Sequence, residues 1–294
     1  MNQNSNNKLS TEFCVVIVTY NPILDYVESN LFKLAEYGIC TIVVDNGSNN
    51  QTQLGSLISK LNIKSEIKFL SLNYNSGLGT ATNYGFEFAV NRGYNYVFLF
   101  DQDTDIRKEY LLDALNALKE IESLTDKPSI MSPLCVNKAN ETKKKISTPS
   151  FDLTELKNSI ASCTLINLEI YNSIGGQLEQ LFIDHVDTEW FFRALNFGYR
   201  IYSISGEYTT HKIGDFKITF LGRRYNVHSP LRIYYRTRNT LYLLKLPYIP
   251  LSWKLRSSFT MIYRAILFSI KIKHKIKAYI NALLRGALHG FSLK

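Results

Sequence analysis

The residues best equipped for chemistry stand together at Asp101-Gln102-Asp103-Thr104-Asp105. An apolar run, residues 96–100, breaks off there into three carboxylates at alternate positions. A buried strand that delivers Asp101 and Asp103 to its C-terminal tip makes a hard-oxygen site. Such a site suits Mg²⁺ or Mn²⁺ held together with substrate phosphates. In open α/β sheets ligands bind just beyond the carboxyl ends of the strands. The same residues can instead form an acidic turn capping the next helix, since Asp and Thr are good N-cap residues.

Positioning that tip requires strands and helices in alternation, and the chain supplies them. Residues 13–18, 41–44, 67–72 and 96–100 are apolar, largely β-branched or aromatic runs, as in strands buried on both faces. Leu24, Val27, Leu31, Leu34 and Ala35 share one helical face, closed by Gly38. Leu54, Leu57, Ile58 and Leu61 mark a second helix, and residues 80–92 and 108–122 two more. Repeated β-α units predict a doubly wound, Rossmann-like, mostly parallel sheet flanked by helices. Residues 128–150 read as irregular, with 138–145 an exposed loop. A strand at 159–166, short helix at 167–174, helix at 187–196 and strand at 199–204 follow. Residues 231–245 and 253–284 read as long basic-aromatic helices.

Parallel strands place their ends on one edge. Thr19 and Asn21, then Asp45, then Asn73 and Asn75, then Asp101 and Asp103 therefore gather on one rim. That rim combines hydrogen-bonding groups for a base, glycines for close backbone approach and carboxylates for a metal. No GxxxxGK[ST] is present, and Gly77-Leu78-Gly79 lacks the third glycine of a dinucleotide fingerprint. The rim therefore reads as a nucleotide site of another type.

A chain of 294 residues, 45% hydrophobic and 20% charged, can bury a large core. Its four scattered cysteines include no CxxC pair and suggest neither zinc nor a disulfide framework. The Asn-rich start has no apolar signal segment and reads as a tail. The net charge of +9 is unevenly placed: residues 212–294 hold seventeen Lys/Arg against one acid, Asp215. An acidic body joined to a basic, aromatic segment points to an anionic partner, a membrane surface or nucleic acid. No apolar run reaches the roughly 20 residues that span a bilayer. Residues 270–277 alternate Lys with apolar side chains, as in an interfacial helix, or in a helix packed on the body with its Lys face in water.

Four segments in register resemble one family. Val18-Thr19-Tyr20-Asn21-Pro22, Val43-Val44-Asp45-Asn46-Gly47-Ser48, Asn75-x-Gly77-x-Gly79-x-x-x-Asn83-x-Gly85 and Phe100-Asp101-Gln102-Asp103 are similar to glycosyltransferase family 2, with the GT-A fold. Residues 182–193 resemble its acceptor-side motif. Tyr234-Tyr235-Arg236-x-Arg238-Asn239 resembles the bacterial rhamnosyltransferase branch that builds O-antigen and related polysaccharides.

The resemblance implies a division into a tail (1–12), a GT-A domain (13–214) and a basic helical extension (215–294) associated with the membrane. Within the GT-A domain, 13–105 would be the nucleotide-binding half and 106–214 the acceptor half. Thr19, Tyr20, Asn21, Asp45, Asn75, Gly77, Asn83, Asp101 and Gln102 would bind the nucleotide-sugar. Asp45 would accept the N3–H of uracil or thymine, or else hold its own turn by an Asx bond. Asp101, Asp103 and His211 would bind Mg²⁺ or Mn²⁺. Asp187 would be the base of an inverting single displacement. Val186 stands where the family often has Glu, so Asp184 is the alternative base. Glu189, Trp190 and Arg193 would face the acceptor, although Glu189 and Arg193 are also spaced for a simple i,i+4 pair.

The implied donor is dTDP-rhamnose, with UDP-hexose or UDP-N-acetylhexosamine as the alternative. The implied acceptor is an undecaprenyl-diphosphate-linked glycan at the inner face of the bacterial cytoplasmic membrane. Two other classes fit less well. A nucleic-acid-binding protein would show a helix-turn-helix, zinc or RNP signature, so no nucleic-acid partner is expected. A nucleotidyltransferase would carry a Gly-rich, Arg-containing loop where Thr19-Tyr20-Asn21-Pro22 stands.

Overall fold

The computed structural model describes residues 12–61, 66–133, 144–204, 217–220, 223–226, 229–271 and 276–293; for 144, 217–220, 223–226 and 264–271 it describes the backbone alone. The first half alternates β1 (Phe13–Thr19), α1 (Leu24–Glu36), β2 (Thr41–Asp45), α2 (Gln51–Leu61), β3 (Ile67–Ser71), α3 (Leu78–Asn91), β4 (Tyr96–Asp101) and α4 (Lys108–Thr125). Then come β5 (Ser129–Met131), β6 (Lys144–Ser147), β7 (Asp152–Leu156), β8 (Thr164–Asn167), α5 (Leu168–Ile174), α6 (Val186–Asn196) and β9 (Arg200–Ile204). A small hairpin, β10 (Lys217–Phe220) and β11 (Arg223–Asn226), precedes helices α7 (Pro230–Lys245), α8 (Leu251–Lys271) and α9 (Ile276–Ser292).

Nine strands form one sheet in the order β3-β2-β1-β4-β8-β5-β9-β7-β6. The β3-β2-β1-β4 part is parallel, as the repeated β-α units predict, whereas β8 runs antiparallel to both β4 and β5. Successive β1 residues alternate between two cores. Val15 and Ile17 pack with α1, α2 and α4 on one face. Cys14 and Val16 pack with α3, α5 and α6 on the other. Gly85 lets α3 lie on β1, because a Cβ there would stand 2.6 Å from Val16 Cγ1. A third cluster, Leu181, Val186 and Phe192 with Tyr242, Leu243 and Ile249, joins α6 to the C-terminal region.

Three expectations need correction. Within the stretch 128–150 expected to be irregular, residues 129–131 form a strand and residues 144–147 pair with 152–156 as an antiparallel hairpin at the sheet edge. The strand expected at 159–166 is confined to Thr164–Asn167, because Cys163 takes a left-handed turn (φ 63°) just before it. The helix expected at 253–284 is two helices, α8 and α9. Residues 272–275, the middle of the expected interfacial stretch, lie outside the described residues.

Candidate functional site

The ends of β1–β4 meet on one rim, and their loops are laced together by polar side chains. Thr19 and Asp45 are register partners. Thr19 Oγ1 and Ser48 Oγ donate to Asp45 Oδ1 at 3.0 and 2.5 Å; the Ser48 amide and Gln51 Nε2 both donate to Oδ2 at 2.9 Å. Asp45 is 0% exposed. A carboxylate offers about four lone-pair positions, and four protein donors take them here. The carboxylate therefore does what the Asx alternative describes: it holds its own turn and ties β2 to β1. A base could reach it only by displacing one of these donors.

The neighbouring loops are joined in the same way. The Asn21 amide donates to Ser48 Oγ at 2.7 Å, and Asn21 Oδ1 accepts from the Asn49 amide at 2.8 Å. Asn46 Nδ2 and the Gly77 amide both donate to Asn75 Oδ1, at 3.0 and 3.1 Å. Gln102 Oε1 accepts from the Tyr20 amide at 2.8 Å, which links the β4 end to the β1 end. The side chains of Thr19, Asn21, Asn75 and Gln102 thus brace the rim, while the Tyr20 and Tyr74 rings are exposed on it. Sequence reasoning missed Tyr74; its place just past β3, beside the Asn75 turn, was the available signal. Asn83 was expected at the donor, yet it is buried away from the open rim. Its amide group accepts from the Gln177 amide at 2.8 Å and donates to Gln177 O and Glu179 Oε1, fixing the segment before α6.

The acidic turn is anchored from both sides. The Asp101 amide donates to Ser162 Oγ at 3.3 Å, Thr104 Oγ1 lies 2.9 Å from the same hydroxyl, and Asn30 Nδ2 donates to Thr104 O at 2.7 Å. Asp103 is exposed at the tip. Asp105 turns away to Lys33 Nζ at 2.6 Å, with Arg107 Nε at 3.6 Å. The hydrogen bond from the Lys33 ammonium holds the Asp105 carboxyl below its usual range. Helix α4 begins only at Lys108, and its N-cap, Arg107, makes no side-chain cap. The capping alternative is therefore set aside. Among the described residues no three His, Cys, Asp or Glu side chains converge on a metal-binding arrangement, and His211 lies outside the described residues. Asp101 and Asp103 at one strand tip nonetheless supply what Mg²⁺ ordinarily takes from a protein: one or two carboxylates, the rest coming from phosphate and water.

On the opposite side of the rim, the chain enters α6 through three left-handed non-glycine residues: Phe182 (φ 61°), Asp184 (φ 62°) and His185 (φ 66°). Each such residue costs on the order of 1–3 kcal/mol and persists only where its surroundings over-determine it. Phe182 O accepts the Leu78 amide at 2.6 Å, and a Cβ on Gly77 (φ 94°) would lie 2.8 Å from Phe182. The Gly77 turn and the approach to α6 are thus in direct contact. Asp187 sits in the first turn of α6, half-buried, with its Oδ1 accepting the Thr188 amide at 2.7 Å. Asp184 is held by Arg232, whose Nε lies 3.1 Å from Oδ2 and 3.3 Å from Oδ1.

Of the three residues expected to face the acceptor, Glu189 and Trp190 are buried and Arg193 is half-buried. Glu189 is fully buried and takes Arg193 in a bidentate grip, Nε to Oε1 at 2.8 Å and Nη2 to Oε2 at 3.0 Å. Tyr248 OH donates to the same Oε1 at 2.5 Å. Arg193 also reaches Ile174 O and Gly176 O at 2.6 and 2.7 Å. Trp190 is 1% exposed and donates from Nε1 to Gly175 O at 2.9 Å, so it has no face on which a sugar can stack. These residues brace α6 against the Gly175-Gly176 turn; the i,i+4 alternative holds for Glu189 and Arg193.

Comparison with known proteins agrees with this architecture. Residues 14–175 match the model for "Glycosyl transferase family 2". The chain is 33% identical over 291 residues to the dTDP-rhamnosyl transferase RfbF of Shigella flexneri, covering 95% of this chain and 96% of that one. Among solved structures, S. aureus TarS 1-349 in complex with UDP-GlcNAc superposes with a TM-score of 0.56 at 22% identity, covering 93% of this chain and 80% of that one. The chain spans 48% of the longer TarS structure. The mannosyltransferase PcManGT of Pyrobaculum calidifontis, in complex with GDP-Man and Mn2+, gives a TM-score of 0.53 at 12% identity, covering 96% and 86%. These structural likenesses are to GT-A folds, as the family resemblance implied.

Proposed function

We propose that this chain, which belongs to glycosyl transferase family 2, transfers L-rhamnose from dTDP-rhamnose to a hydroxyl of a lipid-linked glycan, with inversion. The observation that carries the reading is the 33% identity to a dTDP-rhamnosyl transferase, which covers 95% of this chain and so extends well past the family model's end at residue 175. Donor binding falls to the β1–β4 rim, with Tyr20 at its exposed lip and the Gly77 turn opposite. The acceptor oxygen attacks the anomeric carbon as the bond from that carbon to the diphosphate breaks. The hydroxyl proton passes to a carboxylate within hydrogen-bond reach. Asp187 serves in this role better than Asp184, because the Arg232 guanidinium already occupies both Asp184 oxygens. Asp101 and Asp103 would hold Mg²⁺ or Mn²⁺, which when bound offsets charge on the departing nucleoside diphosphate.

The acceptor reading draws on the C-terminal region. Among the described residues no helix is long and apolar enough to cross a membrane. Leu251, Leu255, Phe259 and Ile262 on α8, and Ile280, Leu284, Leu288 and Phe291 on α9, nevertheless repeat one spacing (i, i+4, i+8, i+11), and all are exposed. Two apolar stripes in a strongly basic segment suit the interface of an anionic bilayer at the cytoplasmic face, where an undecaprenyl-diphosphate-linked glycan would be met.

A donor screen tests the reading. With Mn²⁺ and every nucleotide-sugar at one common concentration, set at about 100 times the Kd of the correct donor, that donor stabilises by about 2.7 kcal/mol, or roughly 5 °C in Tm. dTDP-rhamnose should give that shift and UDP-glucose, UDP-galactose and UDP-N-acetylglucosamine should not. A larger shift with a UDP-sugar would replace the rhamnosyl donor with that sugar.

A further inference from the structure

The search for a role for α7 leads to Asn239, which is 0% exposed at the centre of the clamp on the loop before α6. Asn239 Nδ2 lies 2.8 Å from three backbone carbonyl oxygens, of Leu181, Ile183 and Asp184, its two N–H groups being shared among them. Arg238 Nε fixes the amide from the other end, donating to Asn239 Oδ1 at 2.9 Å, and the Arg238 guanidinium reaches Gln180 O. Every left-handed residue of the loop also has a side-chain partner on α7. Phe182 stacks on Tyr235, with centroids 4.7 Å apart and planes 14° from parallel. Asp184 pairs with Arg232, and His185 Nε2 lies 3.1 Å from Thr240 Oγ1.

Glycine would adopt these φ values without strain. The chain instead carries Phe, Asp and His there and spends a helix on holding them. The loop has two outputs. At one end, Phe182 O receives the Leu78 amide of the donor-side turn. At the other, His185 is the N-cap of α6 and makes no side-chain cap, so the start of that helix is set by the loop's conformation. Asp187 is two residues further on.

We infer that Asn239 is a positioning residue for sugar transfer: it holds the loop at 182–185 so that the first turn of α6, with Asp187, keeps its place relative to the donor turn at Gly77. The inference rests on the reading of Asp187 as the base. It gives the Tyr234–Asn239 segment a task in the reaction, although none of its residues need touch substrate.

A double-mutant cycle between Asn239→Ala and Asp187→Asn tests it, with transfer rate, donor KM and dTDP affinity measured on the full chain. Asn239→Ala should lower kcat about 100-fold while donor KM and dTDP affinity stay within about threefold. Asp187→Asn should abolish most transfer. In that background Asn239→Ala should cost little more, because groups acting through one another are non-additive. Full, independent losses in the double variant, or an unchanged kcat in Asn239→Ala, would overturn the inference. Transfer retained by Asp187→Asn would instead remove the base assignment itself, a separately visible result. If Asn239→Ala is not recovered folded, Asn239→Ser, which keeps one O–H donor on the loop, replaces it in the same cycle with the same criteria.

Discussion

Thr19 and Asp45 end neighbouring parallel strands side by side, and the Thr19 hydroxyl donates to Asp45 Oδ1 at 3.0 Å inside the protein. This bond is one of four on the same carboxylate, so the rim proposed to bind the donor depends on a group that faces inward. Asp45→Ala leaves the buried Thr19 hydroxyl and the Ser48 amide and hydroxyl to find new partners, while Gln51 Nε2 keeps Leu72 O, and should destabilise by about 3 kcal/mol or more. Asp45→Asn should cost less, about 1–2 kcal/mol. Its carbonyl can keep the Ser48 amide and Gln51 while the Thr19 and Ser48 hydroxyls rotate to accept. Urea unfolding of the two variants checks the order, and equal stability of wild type and Asp45→Ala would refute the bracing role.

Asp103 and Asp105 lie two residues apart on one turn but have separate tasks. Asp105 is committed to Lys33 and Arg107, whereas Asp103 is exposed beyond the strand tip. Asp103→Ala should therefore lower Mn²⁺-supported turnover on the order of 10²-fold, as expected for losing a group that stabilises transition-state charge. Asp105→Ala should leave turnover within a few-fold of wild type, since an exposed ion pair contributes only about 0–1 kcal/mol. Assays across a Mn²⁺ titration, with a chelator control, separate the two. Undiminished activity in chelator would end the metal assignment.

How much of this was legible beforehand follows from which faces of each element are buried. Strands β1–β4 are apolar on both faces and joined by amphipathic helices, so their runs, order and common rim can be read from the chain. The β6–β7 hairpin could not, because Lys144–Ser147 is a polar edge strand without an alternating pattern. The segment at residues 182–193 shows the sharper limit. Glu189 and Arg193 have the same spacing whether they grip each other or face a substrate. Only the Ile174 and Gly176 carbonyls and Tyr248, remote in sequence, decide that they grip each other. The left-handed backbone at Phe182, Asp184 and His185 left no trace in residue type, since it is imposed by α7 rather than by glycine.

Glu122 gives a pH dependence of defined sign. Half-buried beside β5 and β8, it accepts from Asn167 Nδ2 at 2.9 Å, the Ser129 amide at 2.7 Å and Tyr96 OH at 2.8 Å. Burial, the largest cause, raises its carboxyl above the ordinary 4.5 despite these donors. In the window just above 4.5 the folded protein therefore binds more protons at this site than the unfolded chain. Its contribution to stability is fully present below that window and declines as pH rises through it. Glu122→Gln should flatten the wild-type stability curve from about pH 4.5 upward. Urea midpoints at half-unit pH intervals would show the difference, and parallel curves for the two proteins would assign the slope to other groups.

The two apolar stripes of α8 and α9 predict how the protein meets a bilayer. Both Leu255 and Phe259 on α8, and Leu284 and Leu288 on α9, are more than half exposed, so replacing them should not disturb the fold. Burying a large apolar side chain gains about 1.5–3 kcal/mol, and a partly inserted stripe recovers a fraction of that from each residue. Leu255→Asp with Phe259→Asp, or Leu284→Asp with Leu288→Asp, should weaken binding to vesicles containing anionic lipid about 100-fold. Raising ionic strength should weaken wild-type binding further, because the basic segment acts through screened charge. Co-sedimentation with anionic and with neutral vesicles measures both effects. If both double variants bind anionic vesicles as tightly as wild type, the stripes are not the membrane face. If wild type binds neutral and anionic vesicles alike, the basic charge has no part in the contact.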